Sequence, residues 1–165
     1  MTQVSLKREL VMAVWATLES LKDKEFGIRV SYAIVKNKKN LAIEVESIQE
    51  TSRPPEGFME YEKSRIELCN TLGEKDEDGN AILIDGRFQF NQSSQVEFNT
   101  QLASLQEQYK QALEAAREVD EQVSSLLKEN VDVDIHEIDM DQFKDGDLTI
   151  GQMEVLMDAG IIKDE

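Results

Sequence analysis

Phe98, Leu102, Leu105, Tyr109, Ala112, Ala116, Val119, Val123 and Leu126 follow one another at alternating steps of four and three residues. Nine consecutive seam positions define a heptad pattern, and neither Gly nor Pro interrupts it. The pattern predicts one helix from about Ser94 to Glu129, capped by Ser93 or Ser94. At about 1.5 Å per residue it would run roughly 50 Å. An amphipathic helix of that length needs something to cover its apolar stripe. Leu113 and Leu127 thicken the stripe, and Ala112 and Ala116 thin its middle, which admits close approach of a partner.

The expected partner is the chain's own preceding helical segment, residues 31–72, folded back antiparallel; an intermolecular coiled coil is the alternative. In that segment Ser31 is the expected cap of a helix. Ile34, Leu41, Val45 and Ile48 repeat with heptad-like spacing, with Lys38 in the missing position. Pro54 and Pro55 end the run. A further helix is expected from about Glu56 to Leu72, with Phe58, Tyr61, Arg65, Leu68 and Leu72 on one side and Gly73 after its end. Asp85-Gly86 is a strong hairpin dipeptide, so strands are expected near 81–84 and 87–90.

Outside this region the period changes. Residues 5–21 read as a helix capped by Ser5, with Leu6, Leu10, Ala13, Val14, Thr17, Leu18 and Leu21 forming its apolar stripe and Val11 and Trp15 widening it. Val131, Val133 and Ile135 alternate with Asp132, Asp134 and His136, the pattern of a half-buried strand with an acidic outer face. Ile28 to Val30 is its expected mate. A last helix is expected from about Thr149 to Ala159. The expected fold is therefore α+β and predominantly helical. It has a long antiparallel, coiled-coil-like helical arm over 31–129, a β-hairpin near 81–90 at the arm's tip, and a small α/β base formed by 1–30 and 131–165.

Charge narrows the partners. The formal net charge is −16. Residues 1–43 hold eight Lys and Arg against four Asp and Glu, a net of +4, so the rest of the chain carries −20. Such a chain repels nucleic acid and anionic membranes unless its basic residues cluster. Direct nucleic-acid binding is not expected, nor is a membrane role, because no segment approaches the ~18 apolar residues of a span. A protein partner is expected, and self-association is a further option. Arg29, Lys36, Lys38 and Lys39 are the candidate anion or partner contact, or a contact for the chain's own acidic strand. Asp132, Asp134, Glu137, Asp139 and Asp141 are the candidate acidic partner face.

No catalytic, cofactor or metal residue emerges. Cys69 is the one cysteine and His136 the one histidine; they read as a small buried hydrophobe and a solvated surface side chain. Two acidic loops fail the calcium-loop test. With Gly79 at the glycine position, Asp85 stands where the bidentate glutamate belongs; with Gly146 there, Phe143 and Gln152 occupy ligand positions. No phosphate-binding glycine loop, GxSxG, HExxH or CxxC is present. The single Cys fits a reducing compartment, and the N-terminus has no signal-peptide layout, because Glu9 interrupts its apolar stretch.

VSYAIVKNKKNL at 30–41, YEKSRIELC at 61–69, GEKDEDGNAIL at 73–83 and LLKENVDVDIHEI at 126–138, followed by a short helix, together resemble a family of short bacteriophage-encoded proteins of unknown function. The resemblance covers most of the chain and brings no site residues with it. It implies a phage gene product acting in the host cytoplasm or in virion assembly. Three roles follow as expectations: a non-catalytic inhibitor of a host defence component that docks through an acidic helical surface, a virion assembly or structural accessory protein, and an oligomeric sponge for a signalling nucleotide.

Overall fold

The structure is a computed structural model that describes residues 1–163; residues 164 and 165, included in the expected base, lie outside the described residues. The fold is α+β and, over the described residues, 61% helical, with six α-helices and small sheets. It divides into two compact units, Met1–Ser52 with the chain from Gln122 onward, and Arg53–Glu121. The first unit reaches further along the chain than the expected boundary at residue 30, because the helix that starts there buries its stripe in that unit's core.

In the first unit, strand β1 (Thr2–Lys7) leads into α1 (Arg8–Ser20) and then α2 (Ile28–Thr51). The unit resumes through the end of the helix before Asn130 and continues with β4 (Asn130–Ile135), β5 (Ile138–Asp139), a 3-10 turn at Met140–Gln142, α6 (Ile150–Asp158) and β6 (Ile162–Lys163). β1 and β4 pair antiparallel, with Val4 opposite Val133 and Leu6 opposite Val131. β5 and β6 pair parallel, with Ile138 beside Ile162.

Two expectations are corrected here. Residues 2–7 form a strand, not the first turn of a helix capped by Ser5. Leu6 fits both periods: it is the inward residue of a strand and also the first member of the helical stripe. The strand period wins because β4 needs a mate for its backbone. The mate of β4 is accordingly β1, and Ile28 to Val30 open α2 instead of forming a strand. α2 therefore starts at Ile28, with Gly27 at its cap position, four residues before the expected cap Ser31.

The core of this unit is aliphatic. Val11, Val14, Leu18 and Leu21 from α1 meet Val30, Ala33, Ile34, Leu41 and Val45 from α2, with Val133, Ile135, Leu156 and Ile161 completing the cluster. The position expected to be filled by Lys38 is taken by Asn37, which is fully buried. Its side chain donates from Nδ2 to the His136 carbonyl at 2.8 Å and accepts from the His136 N–H at 2.7 Å. Asn40 Nδ2 adds a bond to the Asp134 carbonyl at 2.8 Å. Thus two asparagines of α2 bond the end of β4 and the residue that follows it. α6 has a full capping box between Thr149 and Gln152.

In the second unit, α3 (Phe58–Leu72) is followed by strands β2 (Leu83–Ile84) and β3 (Arg87–Phe88), then α4 (Gln92–Gln108) and the beginning of α5 (Lys110–Lys128). Asp85 and Gly86 both have positive φ, 50° and 75°, as a two-residue type I′ hairpin requires. α3 and α4 are antiparallel neighbours: the start of α3 touches Tyr109 and Ala112, while Gly73 at its end lies against Phe88 and Gln89. The cap of α4 is Asn91, whose Oδ1 accepts from the Ser94 N–H at 2.9 Å, instead of Ser93 or Ser94.

The expected single helix is two. Tyr109 leaves helical geometry at φ −104° and ψ 21°, although its N–H still reaches the Leu105 carbonyl. Its ring stacks 6.0 Å from Tyr61. The same spot is where Gly57 comes closest: a Cβ there would sit 3.3 Å from the Ala112 Cβ. The alanine-thinned middle of the seam thus receives the backbone of the turn that starts α3. Tyr61 and Cys69 are the buried side chains of this unit's core. Its seven seam residues, Phe98 to Val119, stay half-buried.

Candidate functional site

The candidate basic residues do not act as one cluster. Lys38 turns toward α1, where its ammonium bonds the Glu19 carboxylate and lies 5.3 Å from the centre of the Trp15 ring. That hydrogen bond, with the charges of Lys38 and Lys22 adding to it, holds the Glu19 carboxyl below the usual glutamate range. Arg29 and Lys39 are exposed, and Lys36 lies half-buried with its ammonium 5.8 Å from the Tyr32 ring centre. Among the described hydrogen bonds none joins these lysines to β4; Asn40 bonds Asp134 there, and Asn37 bonds His136 just after it.

The candidate acidic face is also divided. Asp132 and Asp134 are exposed on the outer side of the β1–β4 ribbon, beside Ser5 and Gln3. Glu137 is half-buried and accepts from Lys163 Nζ at 2.8 Å, and hydrogen bonds from Lys163 and then Thr2 lower its pKa. Asp139 accepts from Gln142 Nε2 at 3.1 Å, and Asp141 is exposed in the 3-10 turn. Only Asp132, Asp134 and Asp141 are therefore presented without a described side-chain partner.

A more concentrated acidic surface lies in the second unit, which holds fifteen Asp and Glu against seven Lys and Arg, a net of −8. Glu114, Glu118 and Glu121 step by four and three along α5, so they form one stripe. The stripe is exposed and lies on the side opposite Ala112, Ala116 and Val119. Arg117 Nε pairs with Glu121 at 3.3 Å, at a position more than two-thirds exposed, where a pair adds little stability. The stripe was not among the residues expected from the sequence, although its four-and-three spacing is the signal that marks it.

Cys69 is 3% exposed on α3, and burial pushes its thiol pKa up, the opposite of an activated nucleophile. His136 is half-buried, its ring edge-on to Tyr32 at 5.4 Å. The Asp76 carboxylate is committed to its own turn, accepting from the N–H groups of Asp78 and Asn80 at 3.0 and 2.8 Å. Among the described residues, no group of three His, Cys, Asp or Glu is arranged to hold a metal ion. One hollow of the first unit lies between Phe143, Leu148, Met153 and Ile162, with Lys144 and Asp145 at its rim. Among the described residues, no helix is long and apolar enough to cross a membrane.

No family model, no curated protein and no solved structure matches the chain.

Proposed function

We propose that this chain is a phage-encoded, non-catalytic binding protein that blocks a host component, a defence factor of the bacterial cytoplasm, by docking an acidic helical surface onto a basic one. The observation that carries the reading is the exposed Glu114–Glu118–Glu121 stripe within a unit of net charge −8. Like charges held on one rigid helix raise the local field, speed encounter with a basic surface and reject acidic ones. Phage origin rests on the resemblance of the four sequence segments given above. The test is capture of a host protein by the immobilised chain, compared with a variant carrying Glu114→Gln, Glu118→Gln and Glu121→Gln; the wild type should retain a protein that the variant releases.

Virion assembly is the second reading. The seam residues from Phe98 to Val119 all keep partial exposure, which suits a helix that adds a further partner in an assembly. Mass spectrometry of purified virions separates the two: the inhibitor is absent from the particle, the assembly part present in it.

A further inference from the structure

β1 has one paired edge and one open edge. Its pairing with β4 runs without a bulge from Thr2, opposite Ile135, to Lys7, opposite Asn130. The register continues one step further, where the Arg8 N–H donates to the Glu129 carbonyl at 3.0 Å. Bonded pairs alternate along an antiparallel ladder, so Thr2, Val4 and Leu6 turn their main-chain groups toward β4, as Arg8 does. Gln3, Ser5 and Lys7 turn theirs the other way. The facing strand keeps the same alternation: Asp134, the mate of Gln3, offers its carbonyl to Asn40, away from β1.

Among the described residues, β4 is the one strand beside β1, and no turn or loop hydrogen bond ends on the N–H or C=O of Gln3, Ser5 or Lys7. All three residues are exposed, and a hollow lined by Ser5, Leu6, Lys7, Leu10 and Ala13 lies alongside. A strand edge left open in water is commonly blunted by Pro, a bulge or charge. β1 has neither Pro nor bulge, and its one charge is Lys7 at its last position. We propose that the chain forms a two-fold symmetric dimer by antiparallel pairing of β1 with β1 of a second copy, which merges two ribbons into one four-stranded sheet in the order β4–β1–β1–β4.

Backbone and charge select the same occupant and the same register. Gln3 and Lys7 are symmetric about Ser5, so setting Ser5 against Ser5 of the second copy engages the N–H and C=O of all three residues. A shift of two residues either way sets Lys7 opposite Met1 or Gln3 opposite Glu9, both outside the strand. On the inward face Val4 then meets Leu6 of the second copy, and both already belong to the core side of the ribbon. On the outward face Lys7 meets Gln3 of the second copy, with that copy's Asp134 next in the row. Lys7 and this Asp134 lie two strand spacings apart, about 10 Å, which an extended lysine and a carboxylate bridge. Within its own copy Lys7 faces the uncharged Asn130 and has only an exposed pair with Glu9 at 3.6 Å. No like charges stand opposite each other in adjacent strands. The pairing uses the open edge of each β1 once, so the assembly closes at two copies. The contact is narrow, which makes a weak dimer that dissociates on dilution. The inference stands apart from the acidic stripe of α5 and does not rest on the proposed target.

The test is light scattering coupled to size exclusion over a concentration series. The wild type should rise from 18.8 kDa toward twice that mass and no further. Ser5→Pro should stay at the monomer mass with unchanged circular dichroism, because the N–H it removes faces away from β4 and an edge position of this kind accepts proline. A second measurement does not depend on that variant folding. Ser5→Cys should be joined into dimers by a short bismaleimide, since the axis brings position 5 of the two copies to roughly 5.5 Å, while Cys69 is buried. Asp132→Cys, three strand spacings or roughly 14 Å from its mate, should not be joined. A wild type that holds 18.8 kDa at its highest soluble concentration would overturn the proposal. So would a folded Ser5→Pro that still dimerises, a mass that climbs past the dimer, or cross-linking as fast at Asp132→Cys as at Ser5→Cys.

Discussion

The buried amide of Asn37 closes on the backbone of His136, giving a hydrogen bond to its carbonyl and taking one from its N–H, at 2.8 and 2.7 Å. Asn37 thereby ties α2 to the chain just after β4, at one register. Replacing it with Ala leaves the half-buried N–H and carbonyl of His136 without these partners. Asn37→Ala should lower the unfolding free energy by about 2–4 kcal/mol, read from urea denaturation. Asn40→Ala, at a more exposed contact to the Asp134 carbonyl, should cost clearly less.

That contact also explains what could be read from the sequence. The apolar stripe of α2 was legible, but Asn37 and Lys38 compete for the gap in it, and nothing local says that a residue 99 positions away supplies two backbone groups for an amide. Leu6 is a similar case, since it satisfies the strand and the helix period at once. Where a turn is chemically specified, as at Asp85-Gly86, the hairpin was legible with its position. The break at Tyr109 was not, because it arises from the approach of Gly57 and Tyr61 from elsewhere in the chain. Of the candidate contact residues, Lys38 and Glu137 looked like surface charges and are engaged by Glu19 and Lys163.

Acid should weaken the fold through a small set of carboxylates. The pKa values of Glu19, Glu62 and Glu137 are all lowered, chiefly by hydrogen bonds from Lys38, Arg65 and Lys163 respectively. A carboxylate held below its unfolded value contributes stability above that unfolded value and loses it as pH falls through the lowered one. Thermal midpoints should therefore be flat above the ordinary glutamate value of 4.5 and fall below it. Lys163→Met should return the Glu137 pKa upward, visible by carboxyl-resolved NMR titration. An unchanged titration would show that the pair is not formed.

Gly57 should tolerate no side chain. Its φ is +81°, and an added Cβ would press on Ala112 at 3.3 Å. Gly57→Ala should destabilise the protein by about 1–2 kcal/mol, measured by the thermal shift. The reciprocal change, Ala112→Leu, should also destabilise, because it fills the space that the Gly57 turn occupies.

Cys69 should report on opening of the second unit. Buried and with its thiol pKa raised, it should react with an aromatic disulfide reagent far more slowly than in the denatured chain. Gly57→Ala should speed the native reaction, since it loosens the same unit. A native rate equal to the denatured rate would mean that α3 does not bury this face.

The acidic stripe on α5 carries the functional account, and salt-resolved capture from host lysate addresses it most directly. Wild type and the Glu114→Gln, Glu118→Gln, Glu121→Gln variant are immobilised side by side, and bound protein is quantified at about 50 mM and about 500 mM salt. The account predicts one host protein with a basic surface, held by the wild type at low salt, released at high salt and absent from the variant. Equal retention by wild type and variant, or a wild type that holds nothing at low salt, would contradict it.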